Sequence, residues 1–312
     1  MSDVMPEGEA IRLFTVPITD SLACEAASIL ARFRELADGA LRVSDQEAFD
    51  RNTGSPYRQE CAEIEALDEP LRGERSSLHA MLMETADLTK DNAFDHVRAL
   101  EHDILMQPPP VWSPLTLSRV VMEGVLFSEY LLDPAISLNK RFARVAGVWV
   151  TDARYAQKQG EANGATPDDA GGMLQYAEDA LRRCQAAERF NDRGRLVGYS
   201  FDGESAPMDI NITERANRVM PRWLPTPYRL TSGAAHNRPW MIGRARDLSG
   251  NYDLVGEAAT VMAAVMVSLG SIETVVGLFG TYFGVDMSTT LEQMEEERVT
   301  FLYRSIAIAH AQ

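Results

Sequence analysis

The sequence predicts an all-α fold, a helical bundle built round one central apolar helix, with a single small β-hairpin. Three observations predict it. From Ala258 to Ile272 the chain reads AATVMAAVMVSLGSI, free of charge and proline. Ala, Met and Leu favour helix, and the run is too long for an ordinary strand. Elsewhere apolar residues recur at helical spacing between Pro and Gly breaks. Strand-like alternation is confined to Val197, Tyr199 and Phe201, and to Met208, Ile210 and Ile212.

The elements follow in chain order. Residues 1–18 form a polar start. Asp20 or Ser21 caps a helix from about Leu22 to Ala37, with Ile29, Leu30, Phe33 and Leu36 on its apolar face, and Asp38-Gly39 ends it. The polar stretch 40–57 reads as loop or a short helix. Helical pattern returns over Arg58–Leu67 and breaks at Pro70. Ser76 or Ser77 caps a long helix to about Leu105, with Phe94, Val97, Leu100, Ile104 and Leu105 spaced for one buried face. The rigid run Pro108-Pro109-Pro110 stops it. That triplet divides the chain into an N-terminal helical subdomain, residues 1–107, and a main bundle, residues 111–312.

Ser113-Pro114 opens a helix to Leu132, with Ser as cap and Pro in the first turn. Asp133-Pro134 breaks it. A helix from about Ile136 to Gln159 follows and carries Arg141, Arg144, Trp149 and Arg154, and the short break makes the two an antiparallel pair. Arg119 and Glu123 lie one turn apart, either within a buried charged network with Arg141 or Arg144 or as an ordinary exposed pair. Pro167-Asp168-Asp169 starts an amphipathic helix to about Phe190. The stretch at about 196–212 reads as a hairpin with Asp202-Gly203 in its link, or as two extended loop segments; a hairpin must pack on helices because two strands alone are not stable. Thr213 caps a short helix to about Val219, and Pro221, Pro225 and Pro227 punctuate the approach to Tyr228. The central segment spans Asp253 to Gly284. Its Gly270, Gly277, Gly280 and Gly284 either admit a close neighbour or mark a broken, frayed end. Thr289 or Thr290 caps the last helix.

The chain has 312 residues and a formal net charge of −16. That balance disfavours broad nucleic-acid or anionic-membrane binding, and it leaves room for a small local basic pocket. The central run is short and closely followed by Glu273, so it reads as a buried helix rather than a membrane span. Cys24, Cys61 and Cys184 are widely spaced, and Met1–Ala10 is acidic without an apolar core. The expectation is a reduced, cytoplasmic protein. Five histidines leave few members for a metal site, and no Gly-rich phosphate loop, Cys/His metal spacing or nucleophile elbow occurs. Neither a metal nor a cofactor is expected.

The strongest constellation is Tyr228-Arg229-Leu230-Thr231-Ser232-Gly233-Ala234-Ala235-His236. Arg229 and His236 stand about two helical turns apart, with Ser232 between, so all three can point together. Arginine holds a phosphoryl group by forked hydrogen bonds, and histidine moves protons near neutral pH. The same residues also suit a structural role, with Arg229 paired to an acid and His236 at a helix end. A second set, Asp91-Asn92-x-x-Asp95, shares a helix face. It resembles a degraded aspartate-rich motif of terpene cyclases, where such acids hold Mg²⁺. It equally suits a solvated face. Trp223, Tyr228, Trp240, Tyr252, Phe279, Tyr282 and Phe283 line a pocket between helices or fill the core.

The stretch YRLTSGAAH resembles the motif region of HEPN-type helical domains, in which an Arg and a His are separated by a few residues. It is also similar to a group of bacterial helical proteins with a late Tyr…Ser…His signature. Their earlier helix pair resembles the Arg119–Glu123 helix and the Leu131-Leu132-Asp133-Pro134 break. The catalytic branch of the HEPN family consists of metal-independent RNases, usually dimeric, whose Arg and His act at the scissile phosphate. The resemblance implies His236 as acid/base and Arg229 as phosphate clamp; Ser232, by its spacing, is the candidate to position either one. Tyr228 and Trp240 are the substrate-binding candidates. RNA or a nucleotide is the implied partner, with a homodimer as the assembly. The Arg–His spacing here is at the long limit of the pattern. Two other classes stay open: an enzyme acting on a small hydrophobic molecule beside the central helix, and a noncatalytic helical adaptor with a protein partner.

Overall fold

The computed structural model describes residues 18–42, 54–107, 110–224, 227–236 and 254–310. Before the sheet come α1 (Asp20–Arg42), α2 (Pro56–Glu65), α3 (Leu71–Ile104), α4 (Ser113–Leu132), α5 (Leu138–Ala162) and α6 (Pro167–Arg183). Three short strands follow: β1 (Ala187–Phe190), β2 (Leu196–Phe201) and β3 (Glu204–Pro207). The chain then continues through α7 (Ile212–Val219), α8 (Pro227–Ala235), α9 (Leu254–Phe283) and α10 (Ser288–His310). The all-α bundle with one small sheet is therefore the architecture.

Several boundaries differ from the expected ones, each for a local reason. α1 runs past Asp38-Gly39 because Ala37 is buried and Leu36, Ala40 and Leu41 pack against the core. α3 starts before Ser76, at Leu71, where the Pro70 carbonyl accepts the first helical bond from the Glu74 N–H at 3.2 Å. Ser113 does not cap α4; its hydroxyl donates to Asp103 Oδ2 at 2.8 Å. α5 is capped by Ser137, whose Oγ accepts from the Lys140 N–H at 3.1 Å. α7 is capped by Asn211 rather than Thr213, with Oδ1 accepting from the Glu214 N–H at 3.2 Å.

The largest departure is at the sheet. α6 stops at Arg183, not near Phe190, because Gln185 adopts a left-handed φ of 61° and the Ala186 N–H returns to the Leu181 carbonyl at 3.0 Å. The freed segment becomes β1. The sheet is antiparallel in the order β1-β2-β3, so it has one strand more than a hairpin. β2 and β3 pair through Phe201 and Glu204, leaving Asp202-Gly203 as a two-residue turn with φ of 45° and 87°. Positive φ at both central positions is what the strand twist demands of so short a turn. β3 is Glu204–Pro207, and Met208 and Ile210 lie beyond it, packed against the core. Buried Tyr199, Phe201 and Ala206 belong to the same core as α5. Gly147 of α5 allows this closeness: a Cβ there would sit 3.0 Å from the Pro207 carbonyl oxygen.

α9 is the centre. It packs on α1, α2, α4 and α10, and Val261, Val265, Leu269, Val276 and Tyr282 are fully enclosed. Thr260–Phe283 is long and apolar enough to cross a membrane by length and composition, and most of it is buried inside the protein. Its glycines divide by role. Gly270 faces the turn before α8, where a Cβ would meet Trp223, Leu224 and Pro221. Gly284, at φ 70°, ends the helix, and the Val285 N–H bonds the Gly280 carbonyl at 2.8 Å. α1 and α3 contribute to the same apolar core as α4, α5 and α9.

Candidate functional site

α8 lies across α4 and α7. Thr231, Gly233 and Ala234 of α8 are buried. Tyr228 and Ser232 are half-buried, and Arg229 and His236 are exposed. Positions 229, 232 and 236 recur at helical spacing, so the structure brings Arg229, Ser232 and His236 to one outward stripe. His236 stands one residue past the helix, and its backbone N–H still donates to the Ser232 carbonyl at 3.1 Å. Trp240 lies outside the described residues, as does Tyr252.

The root of α8 is tied to α4 through one arginine. The Arg119 guanidinium lies 5.3 Å from the centre of the Tyr228 ring. Its Nη2 is 3.4 Å from the Tyr228 hydroxyl, and its Nε donates to Glu123 Oε1 at 2.7 Å. Arg119 is thus held from both sides, with 13% of its side chain exposed. The pair is joined to Tyr228, not to Arg141 or Arg144. What the stripe offers chemically is a solvent-facing guanidinium, a hydroxyl and an imidazole on a helix whose first residues are fixed.

Arg141 and Arg144 serve two other networks that sequence spacing did not reveal. In the first, Glu60 of α2 is a buried carboxylate with three donors from three helices. Arg141 Nε donates to Oε1 at 2.7 Å, the Tyr282 hydroxyl donates to Oε2 at 2.6 Å, and His79 Nε2 lies 3.0 Å from Oε2. Burial pushes the Glu60 carboxyl up, but the bonds from His79, Arg141 and Tyr282 outweigh it and leave it below its ordinary value. Burial, together with the Glu60 charge, pushes the Tyr282 phenol well above its ordinary range. Arg141 also donates to the Leu131 carbonyl at 2.7 Å, satisfying an orphan acceptor at the end of α4.

In the second network, Glu129 and Asp133 of α4 meet Arg144, Arg215 and Arg218. Arg215 donates to Glu129, Arg218 lies 3.4 Å from both carboxylates, and Arg144 lies 3.5 Å from Asp133. The Tyr130 ring sits between Arg144 and Arg215, 4.5 and 4.7 Å from their guanidinium carbons. Its hydroxyl is buried without a hydrogen-bond partner, and burial pushes its pKa up.

The remaining candidates resolve simply. Asp91 pairs with Lys90 at 3.3 Å and Asp95 with Arg98 at 3.1 Å, both on an exposed face. Among the described residues no group of three His, Cys, Asp or Glu could hold a metal ion. Phe279, Tyr282 and Phe283 pack on one another and on Tyr57 within the core. A cavity of about 370 Å³ opens between α1 and α3, lined by Arg34, Asp38, Lys90, Asp91, Phe94 and Arg98. Leu41 also lines it, so charged groups border an apolar wall of Leu41 and Phe94, and each cation already has an acid. The chain matches no protein-family model, no curated protein and no solved structure.

Proposed function

We propose that this protein is HEPN-like and cleaves or binds RNA at the outward face of α8, without a metal. One observation carries the reading. Arg229 and His236 are exposed with the half-buried Ser232 between them, and the residue before them, Tyr228, is docked on the Arg119–Glu123 pair of α4. Tyr228 opens the stretch that carries the HEPN-like resemblance, and it meets the helix that carries the likeness to the bacterial helical proteins. Arg229 is exposed and has no acidic partner among the described residues, while His236 stands at the helix end, where a structural role would also place it.

In the proposed reaction His236 takes the proton from a ribose 2′-hydroxyl. The 2′ oxygen forms a bond to phosphorus, and the bond from phosphorus to the 5′ oxygen breaks. Arg229 offsets the charge that builds on the phosphoryl oxygens. The leaving 5′ oxygen takes a proton from water or from His236 of a second copy, which gives a homodimer a chemical purpose. Product analysis tests this. The scheme yields a 2′,3′-cyclic phosphate and a 5′-hydroxyl end, and a 2′-deoxy substitution at the cut site blocks cleavage. A 5′-phosphate product, or cleavage of the deoxy site, rules the scheme out.

A further inference from the structure

Residues 211–236 carry four arginines, no lysine and one acid, Glu214, in a chain whose net charge is −16. The segment covers α7, the turn before α8, and α8. Part of its charge is spent internally, by Arg215 buried against Glu129. Glu129 and Asp133 are two carboxylates facing three guanidiniums, and the buried Arg144 and Arg215 are enough to neutralise them. Arg218, with 56% of its side chain exposed, is left as the surplus cation. Arg222 and Arg229 are exposed and have no acidic partner among the described residues. Glu214 is engaged at the start of α7, accepting from Asn211 Nδ2 at 3.3 Å.

The turn that presents Arg222 is rigidly placed. Trp223 lies against Gly270 of α9, with the Arg298 guanidinium 4.4 Å from its ring centre. Arg298 is itself held by Glu273 at 2.9 Å. Trp223 and Tyr228, the aromatic residues of this surface, are therefore each occupied on one face by an internal arginine. The surface offers guanidiniums rather than open rings.

Building on the phosphodiester reading of α8, we infer that Arg218, Arg222 and Arg229 form a phosphate-tracking ridge that seats an RNA strand through its backbone. Charge complementarity selects the partner: exposed guanidiniums in a segment with a single acid give a phosphodiester backbone a local cationic face on an acidic chain. Recognition is by phosphate, with little base preference, because the rings are engaged.

The test is binding of a fluorescent 2′-O-methyl RNA oligomer, which lacks the attacking hydroxyl, across a salt series. Three phosphate contacts on a single strand predict a slope of log K against log[salt] near −2, from about −0.7 per contact. Arg222→Gln should flatten it by about 0.7, and Arg222→Gln with Arg229→Gln by about 1.4. Arg193→Gln, in the exposed turn between β1 and β2, should leave it unchanged. No binding, a slope indifferent to Arg222, or equal binding of poly-glutamate would overturn the ridge, the last by pointing to an acidic protein partner. A steep, Arg222-dependent slope without any cleavage of ordinary RNA would support the ridge and sink only the catalytic reading. Cleavage with an Arg222-independent slope would do the reverse.

Discussion

The Arg119 guanidinium lies 5.3 Å from the centre of the Tyr228 ring and 3.4 Å from its hydroxyl, joining α4 to the first turn of α8. Tyr228 immediately precedes Arg229, so this contact sets where the outward stripe begins. A cation over a partly buried ring is worth about 0.5–2 kcal/mol. Arg119→Ala should lose stability of that order in urea unfolding. Tyr228→Phe keeps the ring and loses only a long hydrogen bond, so it should cost less than about 1 kcal/mol. A larger loss for Tyr228→Phe than for Arg119→Ala would contradict this picture.

Glu60 should be the most sensitive polar residue in the core. Glu60→Gln leaves Arg141 buried without its counter-charge, a change that costs about 3–5 kcal/mol. The sign of its pH dependence follows from the lowered carboxyl. A folded value below the ordinary 4.5 gives stability that is complete above that value and is lost as pH falls through the folded one. The stability gap between wild type and Glu60→Gln should therefore be flat at neutral pH and close on the acid side. A gap that widens in acid would refute it.

Two glycines should respond oppositely to alanine. At Gly124 a Cβ would sit 2.8 Å from the Thr89 carbonyl oxygen of α3, so Gly124→Ala should destabilise by about 1–3 kcal/mol despite better helix propensity. At Gly277 the nearest atom is Leu291 Cδ1 at 3.9 Å, so Gly277→Ala should stabilise by up to about 1 kcal/mol. Thermal unfolding of the two variants decides it.

The cysteines should label in order of exposure. Cys24 is exposed, Cys61 is partly buried, and Cys184 is buried, with its thiol pushed up to about 11. The thiolate is the reactive form, so iodoacetamide should modify Cys24 first and Cys184 only on unfolding. Early modification of Cys184 in mass spectra would show that α6 opens.

These predictions divide by how far each feature could be read from sequence. The helices were legible because their apolar faces repeat every turn, and the Arg229, Ser232 and His236 stripe follows from the same repeat. β1 was not: its residues are all exposed, so no alternation marks it, and the break before it rests on a left-handed Gln185. The Glu60 network was hidden because its partners Arg141 and Tyr282 stand 81 and 222 residues away. Arg119 was visible as a partner of Glu123 one turn along α4. Its contact with Tyr228, 109 residues on, is a product of tertiary packing.

The central claim is tested most directly by incubating RNA with the purified protein in chelator, beside His236→Ala at matched fold and stability. The account predicts that wild type cuts and that His236→Ala does not. Intact RNA in both reactions, or equal cutting by both, would contradict catalysis at this face.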